Sequence, residues 1–555
     1  MSSESFQAPA SRNQTEVFAV HGADPEVLAF AMAKYSRSAL SMRESLTEIS
    51  SQRAEQFLNT FYFQYGHRSI ADLAHIAFAV ERLSLLAAVV LVDEQRWDGQ
   101  ERSTRYQNFL KSGWFLPDFG SDAAAADLYT KTIGNLFETY QKTTAAVLEV
   151  LRQRIPCPES FKPESYERTL KARAFDVARY LLPLATNTSL GQIVSARTLE
   201  TQVSRLLSSP LAEIRDLGAK LREAATGPAW SVGSTAADVL VEKIAALENS
   251  YALKGRDFSR ADAQTESDGA LAPEGSLADE AAQILLRQVR TAPTLVKYAS
   301  ANAYQTETTA ELTAAASELL ADHAIAPAPV VDFVERTETL EVELASTLLY
   351  SASHHPYRQI RDLVASLPEA RVNEIVDLGL KHRGPHDEAL RAFHAGAALR
   401  FDILMDIGGF RDMHRHRRCT QIIQPFTTVH GYETPSSGDL PSEINLLAEA
   451  GLLDSFEAAI ENAHAASKWI AAGPSPEAAS SALYLLPLAT RVRSLFKMDF
   501  AEAQYISELR SAPAGHFSYR RVAWEMFLAL QRQHPSLAKH LRVTDFTQPI
   551  DLLQR

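Results

Sequence analysis

Tyr180–Thr186 reads YLLPLAT, and Tyr484–Thr490 reads YLLPLAT again. A run of identical residues that includes a proline is not expected by chance, even in a Leu- and Ala-rich chain, and it marks an internal repeat. The flanks agree. Residues 17–42 run from a short strand-like piece into a helix-like piece, and residues 331–353 do the same. Residues 192–215 and 496–520 follow the two copies and space their apolar positions as helices do. Well before each copy lies an apolar stretch that reads as a long helix ending in a charged turn. It is IADLAHIAFAVERLSLLAAVVLV over residues 70–92 in the first half and ALRFDILMDIGGF over 398–410 in the second.

These features divide the 555 residues into a first domain over 1–240, a linker over 241–325 and a second domain over 326–555. The linker reads as short helices (LADEAAQILLRQVR and ELTAAASELLADHA) beside a polar stretch, GRDFSRADAQTESDGALAPEGS, with the composition of an exposed mobile loop. The fold class is α+β, helix-rich with small sheets.

Composition narrows the function. The chain is 46% hydrophobic and 22% charged, as soluble globular proteins are. Its net charge of −13 argues against a protein whose main task is gripping nucleic acid, while leaving room for one local cationic pocket. Neither a membrane-spanning run nor a signal-like N-terminus is found. Cys157 and Cys419 are too far apart in sequence to indicate a disulfide framework, so the expected location is cytoplasmic.

The densest cationic cluster is His414-Arg415-His416-Arg417-Arg418, set between apolar segments and preceded by Gly408-Gly409. Arginine forks suit phosphate. A solvated basic helix end would have the same composition. In Gln100-Glu101-Arg102-Ser103-Thr104-Arg105-Tyr106, Glu101, Ser103 and Arg105 fall on one face of an extended segment, which again suits a phosphate, or an ordinary polar loop. Gly66-His67-Arg68-Ser69-Ile70-Ala71-Asp72 contains a capping-like pair, Ser69 and Asp72. His382 and His386 have helical metal-ligand spacing beside Asp387, but Gly384-Pro385 breaks the helix, and no metal site is assigned. Phosphate-cradling and dinucleotide glycine loops are missing from the sequence.

The order of these features resembles that of the flavin-dependent thymidylate synthases. That family carries an H-x-S-x-x-E-H-like segment, an apolar helix, R-H-R, S-x-R-Y, R-x-x-L-P, N-x-R and a later L-R. The first half matches with His67, Ser69 and Asp72, then Glu101, Ser103, Arg105, Tyr106 and Arg179. Asp93-Glu94-Gln95 stands in the R-H-R place, and Ser195-Ala196-Arg197 keeps only the arginine of N-x-R. The second half is the converse. Arg415-His416-Arg417 is intact with Asp412 upstream, Leu509-Arg510 is kept, and Thr427 and Leu483 replace the S-x-R and R-x-x-L-P arginines.

The losses are complementary. The resemblance therefore implies one composite site per pairing of unlike halves, with a degenerate reciprocal site. Glu101, Ser103, Arg105, Arg179, Asp412, Arg415 and Arg510 would bind a dUMP-like nucleotide, with Arg415 and Arg510 serving the chemistry. His67, Ser69, Asp72, Arg197, His416 and Arg417 would lie on the side of FAD. Methylenetetrahydrofolate and NADPH are the implied co-substrates, and a homodimer of four domains the implied assembly. Two other readings stay open: a related flavoenzyme acting on another nucleotide, and a non-catalytic nucleotide-binding or scaffold protein.

Overall fold

A computed structural model describes residues 24–34, 70–94, 96–231, 234–258, 276–297, 299–301, 329–333, 339–351, 363–380, 393, 399–433 and 445–554. The chain forms two compact units. One comprises Met1–Ile76, Ser195–Thr201 and Lys220–Ala299, and the other Ala77–Val194, Gln202–Ala219 and Ser300–Arg555. The fold is α+β and helix-rich with small sheets, as the sequence implies.

The larger unit holds most of both repeats. In chain order its first copy has β1 (His75–Ser84), α1 (Leu85–Leu91), β2 (Asp98–Glu101), α2 (Ala123–Arg154), α3 (Pro163–Ala178) and β3 (Asn187–Ser195). Helices α4 (Ala196–Leu207) and α5 (Ala212–Thr226) follow. The second copy has β4 (Val331–Phe333), β5 (Leu399–Asp406), α6 (Ile407–Met413), β6 (Thr420–Ile423), α7 (Leu453–Ala471), β7 (Arg491–Met498), α8 (Phe500–Ser511) and α9 (Phe517–Gln533). The sheet orders are β1-β3-β2 and β4-β5-β7-β6. Their registers correspond. Asp98 faces Ile193 in the first sheet, and Thr420 faces Lys497 in the second. The shift that carries Tyr180 to Tyr484 also carries Ile193 to Lys497.

The two YLLPLAT segments pair with each other. Pro183 and Pro487 form an antiparallel bridge. Leu184 N donates to Leu486 O at 2.9 Å and Ala185 N to Tyr484 O at 2.9 Å. Their counterparts, Leu488 N to Leu182 O and Ala489 N to Tyr180 O, measure 3.0 and 3.2 Å. This is a local two-fold between the copies. It accounts for the identity of the repeat, because each copy must fit against itself. The segments are buried, with Leu181, Leu184, Leu485 and Leu488 at 0% exposure.

The long helices expected over 70–92 and 398–410 are corrected. Each apolar stretch is a strand running straight into a short helix. Leu399–Asp406 alternates buried and half-buried positions, the period of a strand with one covered face. The switch falls on a capping residue. Ser84 accepts from Ala87 N at 2.9 Å, and Asp406 accepts from Gly409 N at 2.7 Å. Each thereby satisfies an N–H that the first helical turn leaves open.

In the smaller unit, the buried Glu26 of helix Pro25–Lys34 accepts from Thr294 N and Leu295 N at 2.9 and 2.7 Å. Helix Ser234–Phe258 crosses the expected boundary at residue 240 and helix Leu277–Leu285 lies within the expected linker; Glu248 of the first accepts from Ser276 Oγ at 2.7 Å. Residues 259–275 and all of ELTAAASELLADHA lie outside the described residues, as do His382, His386 and Asp387.

Candidate functional site

Helix α6 carries much of the site, and its start is fixed by Asp406. This carboxyl takes the Gly409 N–H and the hydroxyl of Ser518 on α9. Gly409 is needed here. A Cβ on it would stand 2.5 Å from Ser518 Oγ, whereas one on Gly408 would stand 3.1 Å from Asp406 Oδ1, a tight contact. Burial pushes the Asp406 carboxyl up to about 6, against the pull of Arg179. The first copy builds the same joint with the groups exchanged. There Ser84 donates its hydroxyl to Glu213 at 2.7 Å, and Tyr484 of the other copy donates to the same carboxylate at 2.9 Å.

Three arginines of this cluster are neutralised by carboxylates. Arg105 Nε donates to Asp176 Oδ1 at 2.7 Å and its Nη2 to Oδ2 at 3.2 Å. Its remaining donors go to Tyr519 Oη at 2.6 Å and Ala514 O at 2.9 Å. Arg179, 1% exposed, donates through Nη1 to Asp412 at 2.9 Å. Arg411 pairs with Glu101. Burial alone would raise Asp412, but Arg179 and Arg105 outweigh it and hold the carboxyl down at about 2. Arg179 Nε and Nη2, and Arg411 Nε, are buried with no hydrogen-bond partner among the described residues. Such N–H groups are costly to leave unmet.

Arg415 and Arg510 differ. Among the described residues neither has a carboxylate within salt-bridge distance. Arg415 is exposed, and its charge is felt by Asp412. Arg510 donates through Nε to His416 Nε2 at 2.7 Å, and its guanidinium carbon lies 5.4 Å from the Tyr519 ring centre.

The rest of the basic cluster faces the first copy's Asp93-Glu94 segment. His414 Nε2 bonds Asp93 at 3.1 Å, and Arg417 stacks over Trp97 with 5.1 Å between guanidinium carbon and ring centre. Glu94 takes Arg205 at 2.8 Å. Burial lowers both His414 and His416 and brings Arg417 down to about 10. His416 Nδ1 lies 3.4 Å from Glu502.

The larger unit thus gathers Glu101, Arg105, Arg179, Asp412, Arg415, His416, Arg417 and Arg510, drawn from both copies of one chain. Ser103 accepts from the Arg105 backbone N–H at 3.2 Å and makes no hydrogen bond to an arginine side chain among the described residues. In the smaller unit Arg197 Nη1 donates to Asp72 at 2.8 Å. His67 and Ser69 lie outside the described residues. Sequence reasoning missed Asp176, Arg411, Asp406, Ser518 and Tyr519. An acid at a helix position otherwise filled by apolar residues, as in RAFDVARY, was the signal for Asp176. Among the described residues no group of three or more His, Cys, Asp or Glu could hold a metal ion, and no helix is long and apolar enough to cross a membrane.

A chain whose two copies pool their charged residues at one place is a duplicated form of a single-copy fold. The family described as thymidylate synthase complementing protein matches residues 17–227 and again 339–536, and the chain belongs to it. The resemblance read from the motifs is thereby borne out. A UPF0159 protein of Chlamydia muridarum is 26% identical over 94% of this chain and 91% of its own length. A UPF0159 protein of Thermoplasma acidophilum is 24% identical over 93% and 94%. The double length is therefore shared with these relatives. Among solved structures, a flavin dependent thymidylate synthase from Helicobacter pylori complexed with FAD and dUMP matches 36% of this chain and 89% of its own. It does so at 16% identity and a TM-score of 0.24, too loose a fit to support any inference.

Proposed function

We propose that this chain is a flavin-dependent thymidylate synthase-like enzyme. It transfers a one-carbon unit reductively from methylenetetrahydrofolate to dUMP, with FAD as cofactor and NADPH as reductant, giving dTMP. One observation carries the reading. Arg105, Arg179 and Arg411 have carboxylate partners, whereas Arg415 and Arg510 have none among the described residues. Two arginines with no carboxylate at salt-bridge distance, beside a neutralised framework, suit an incoming phosphate monoester.

In this reading Arg415 and Arg510 take the phosphate and orient the base for reaction. Arg105, Arg179, Glu101 and Asp412 hold the two copies in register around it, and Ser103 adds a hydroxyl at the rim. Binding energy from the phosphate fixes the position of the reacting carbon, so no protein nucleophile is required. The tandem domains, 1–240 and 326–555, make this site within one chain. Two chains would pair into a four-domain dimer.

Among the flavin-side candidates, Arg417 fits an anionic cofactor. Arg417 Nε and Nη2 are buried without hydrogen-bond partners among the described residues, and Arg197 commits one nitrogen to Asp72. In the larger unit Arg417 and His416 would hold FAD, which supplies hydride transfer when bound, while Asp72, Arg197, His67 and Ser69 stay candidates on the family resemblance alone. A second reading, a nucleotide-binding protein without catalysis, is favoured by the contacts of His414 with Asp93 and Arg417 with Trp97, which occupy much of the basic cluster.

The test is the visible absorption spectrum of the purified protein, with added FAD and then dUMP. A bound-flavin spectrum that dUMP perturbs, followed by dTMP formation, supports the enzyme. Nucleotide binding without flavin uptake supports the second reading, and binding of neither overturns both.

A further inference from the structure

We propose that Tyr519 positions Arg510 and thereby sets the affinity of the cluster for a phosphate monoester. The inference rests on the reading of Arg510 as an anion ligand.

Tyr519 follows Ser518, whose hydroxyl is held by Asp406, so the start of α9 is pinned to the start of α6. The phenol oxygen accepts from Arg105 Nη1 at 2.6 Å, and Arg105 is itself gripped at two points by Asp176. Both ends of the tyrosine are thus anchored, one on each copy. The ring centre lies 5.5 Å from the Arg105 guanidinium carbon and 5.4 Å from that of Arg510. Both are within the ~6 Å over which a ring attracts a cation. Two guanidinium groups sharing one ring would otherwise repel.

Arg510 has one further polar contact among the described residues, from Nε to His416. Its two Nη groups therefore stay open while the ring and the histidine fix the plane of the fork. A bidentate hold on phosphate depends on that plane. The first copy has the acid Glu213 where the second has Ser518, and Ile214 where the second has Tyr519. The platform is therefore confined to the copy that keeps the L-R arginine.

The experiment is calorimetric titration of dUMP into the full-length protein and into Tyr519→Phe, Tyr519→Leu, Arg510→Ala and Tyr519→Leu/Arg510→Ala. Tyr519→Leu should weaken binding roughly tenfold, the range of a buried cation–π contact. Tyr519→Phe keeps the ring and should retain most of the affinity. The double variant should bind no more weakly than Arg510→Ala alone, because Tyr519 acts through Arg510. Full additivity, or unchanged binding in Tyr519→Leu, overturns the proposal. If the wild-type protein does not bind dUMP, the nucleotide reading fails by itself. The positioning role is then decided by the crystal structure of unliganded Tyr519→Leu. Displacement of Arg510 from His416 supports it, and an Arg510 still bonded to His416 in its original orientation overturns it.

Discussion

Replacing Asp176 with alanine removes the acid that holds Arg105. The two side chains are 5% and 8% exposed. Of the four hydrogen bonds made by the guanidinium, those to Asp176 at 2.7 and 3.2 Å are lost, while those to Tyr519 and Ala514 O remain. Breaking a buried pair by deleting one partner costs about 3–5 kcal/mol. Opposite charges ~4 Å apart at an effective dielectric of ~20 attract by about 4 kcal/mol, which agrees. The two surviving bonds place the expected loss near the lower end, about 3 kcal/mol. That is a large share of the ~5–15 kcal/mol that stabilises a typical protein. Urea unfolding at pH 7, followed by tryptophan fluorescence, measures it. The variant Arg105→Met/Asp176→Leu removes both charges and should lie closer to wild type than Asp176→Ala, because no lone cation is left buried. A loss below about 1 kcal/mol for Asp176→Ala, or a double variant less stable than the single, refutes the view of Arg105 as a buried tie between the copies.

Arg415→Ala should weaken dUMP binding at least tenfold, about 1.4 kcal/mol, whereas Thr427→Ala, at the place equivalent to Arg105 in the second copy, should leave titrations unchanged. Gly409→Ala puts a methyl 2.5 Å from Ser518 Oγ and should cost about 1–3 kcal/mol in urea unfolding, with Ala87 as proof that the same helix position tolerates alanine in the other copy. Stability should fall as pH drops from about 6.5 toward 4. Burial holds His414, His416 and His516 below their ordinary value and His464 at about 4, so the unfolded chain takes up protons that the folded chain refuses. Asp406, raised to about 6, works in the opposite sense: its contribution is full below the ordinary carboxylate value and is lost as pH rises through 6. A melting temperature that stays flat from pH 7 to pH 4 in His464→Asn but falls in wild type would single out that histidine.

The repeat, the pooling of charges and the helices after each YLLPLAT were legible because identity and helical spacing survive in one dimension. The strands β1 and β5 were not. HIAFAVERLS and LRFDILMD are apolar enough for both periods to fit; the first passes into its helix without Gly or Pro, and the Gly408-Gly409 pair of the second lies inside the helix rather than at the boundary. Ser84 and Asp406, read as N-caps, would have placed the boundary. The site residues carried over from the motifs that lie in the larger unit fall together, but the partners of Arg105 do not belong to the motifs. Asp176 meets Arg105 through the packing of α3, and Tyr519 meets it from the far end of the chain. Nothing local in the sequence encodes either meeting.

The exchanged joint beneath the two short helices gives the strongest test of whether the copies diverged as a coupled pair. Each joint contains one acid and one hydroxyl: Ser84 with Glu213, and Asp406 with Ser518. Independent drift could equally leave two hydroxyls, stranding the helix start with weaker capping, or two acids, forcing like charges into a buried place. The position of the acid also tracks the arginine. Asp406 lies in the copy that receives Arg179, where the arginine's charge opposes the rise of its carboxyl, while Glu213 lies where Leu483 has replaced that arginine and binds Tyr484 instead. The prediction is a pair of swaps. Asp406→Ser removes the acid beside Arg179, and Ser518→Glu adds a second one. Each alone should lower stability by about 1–3 kcal/mol, the range for an unmet buried polar group. Together they rebuild the first copy's arrangement, and the double variant should recover at least ~0.5 kcal/mol relative to the sum, which is what coupled neighbours show. If the two losses simply add, the exchange was not compensated, and the acid at position 406 has to be explained by Arg179 alone.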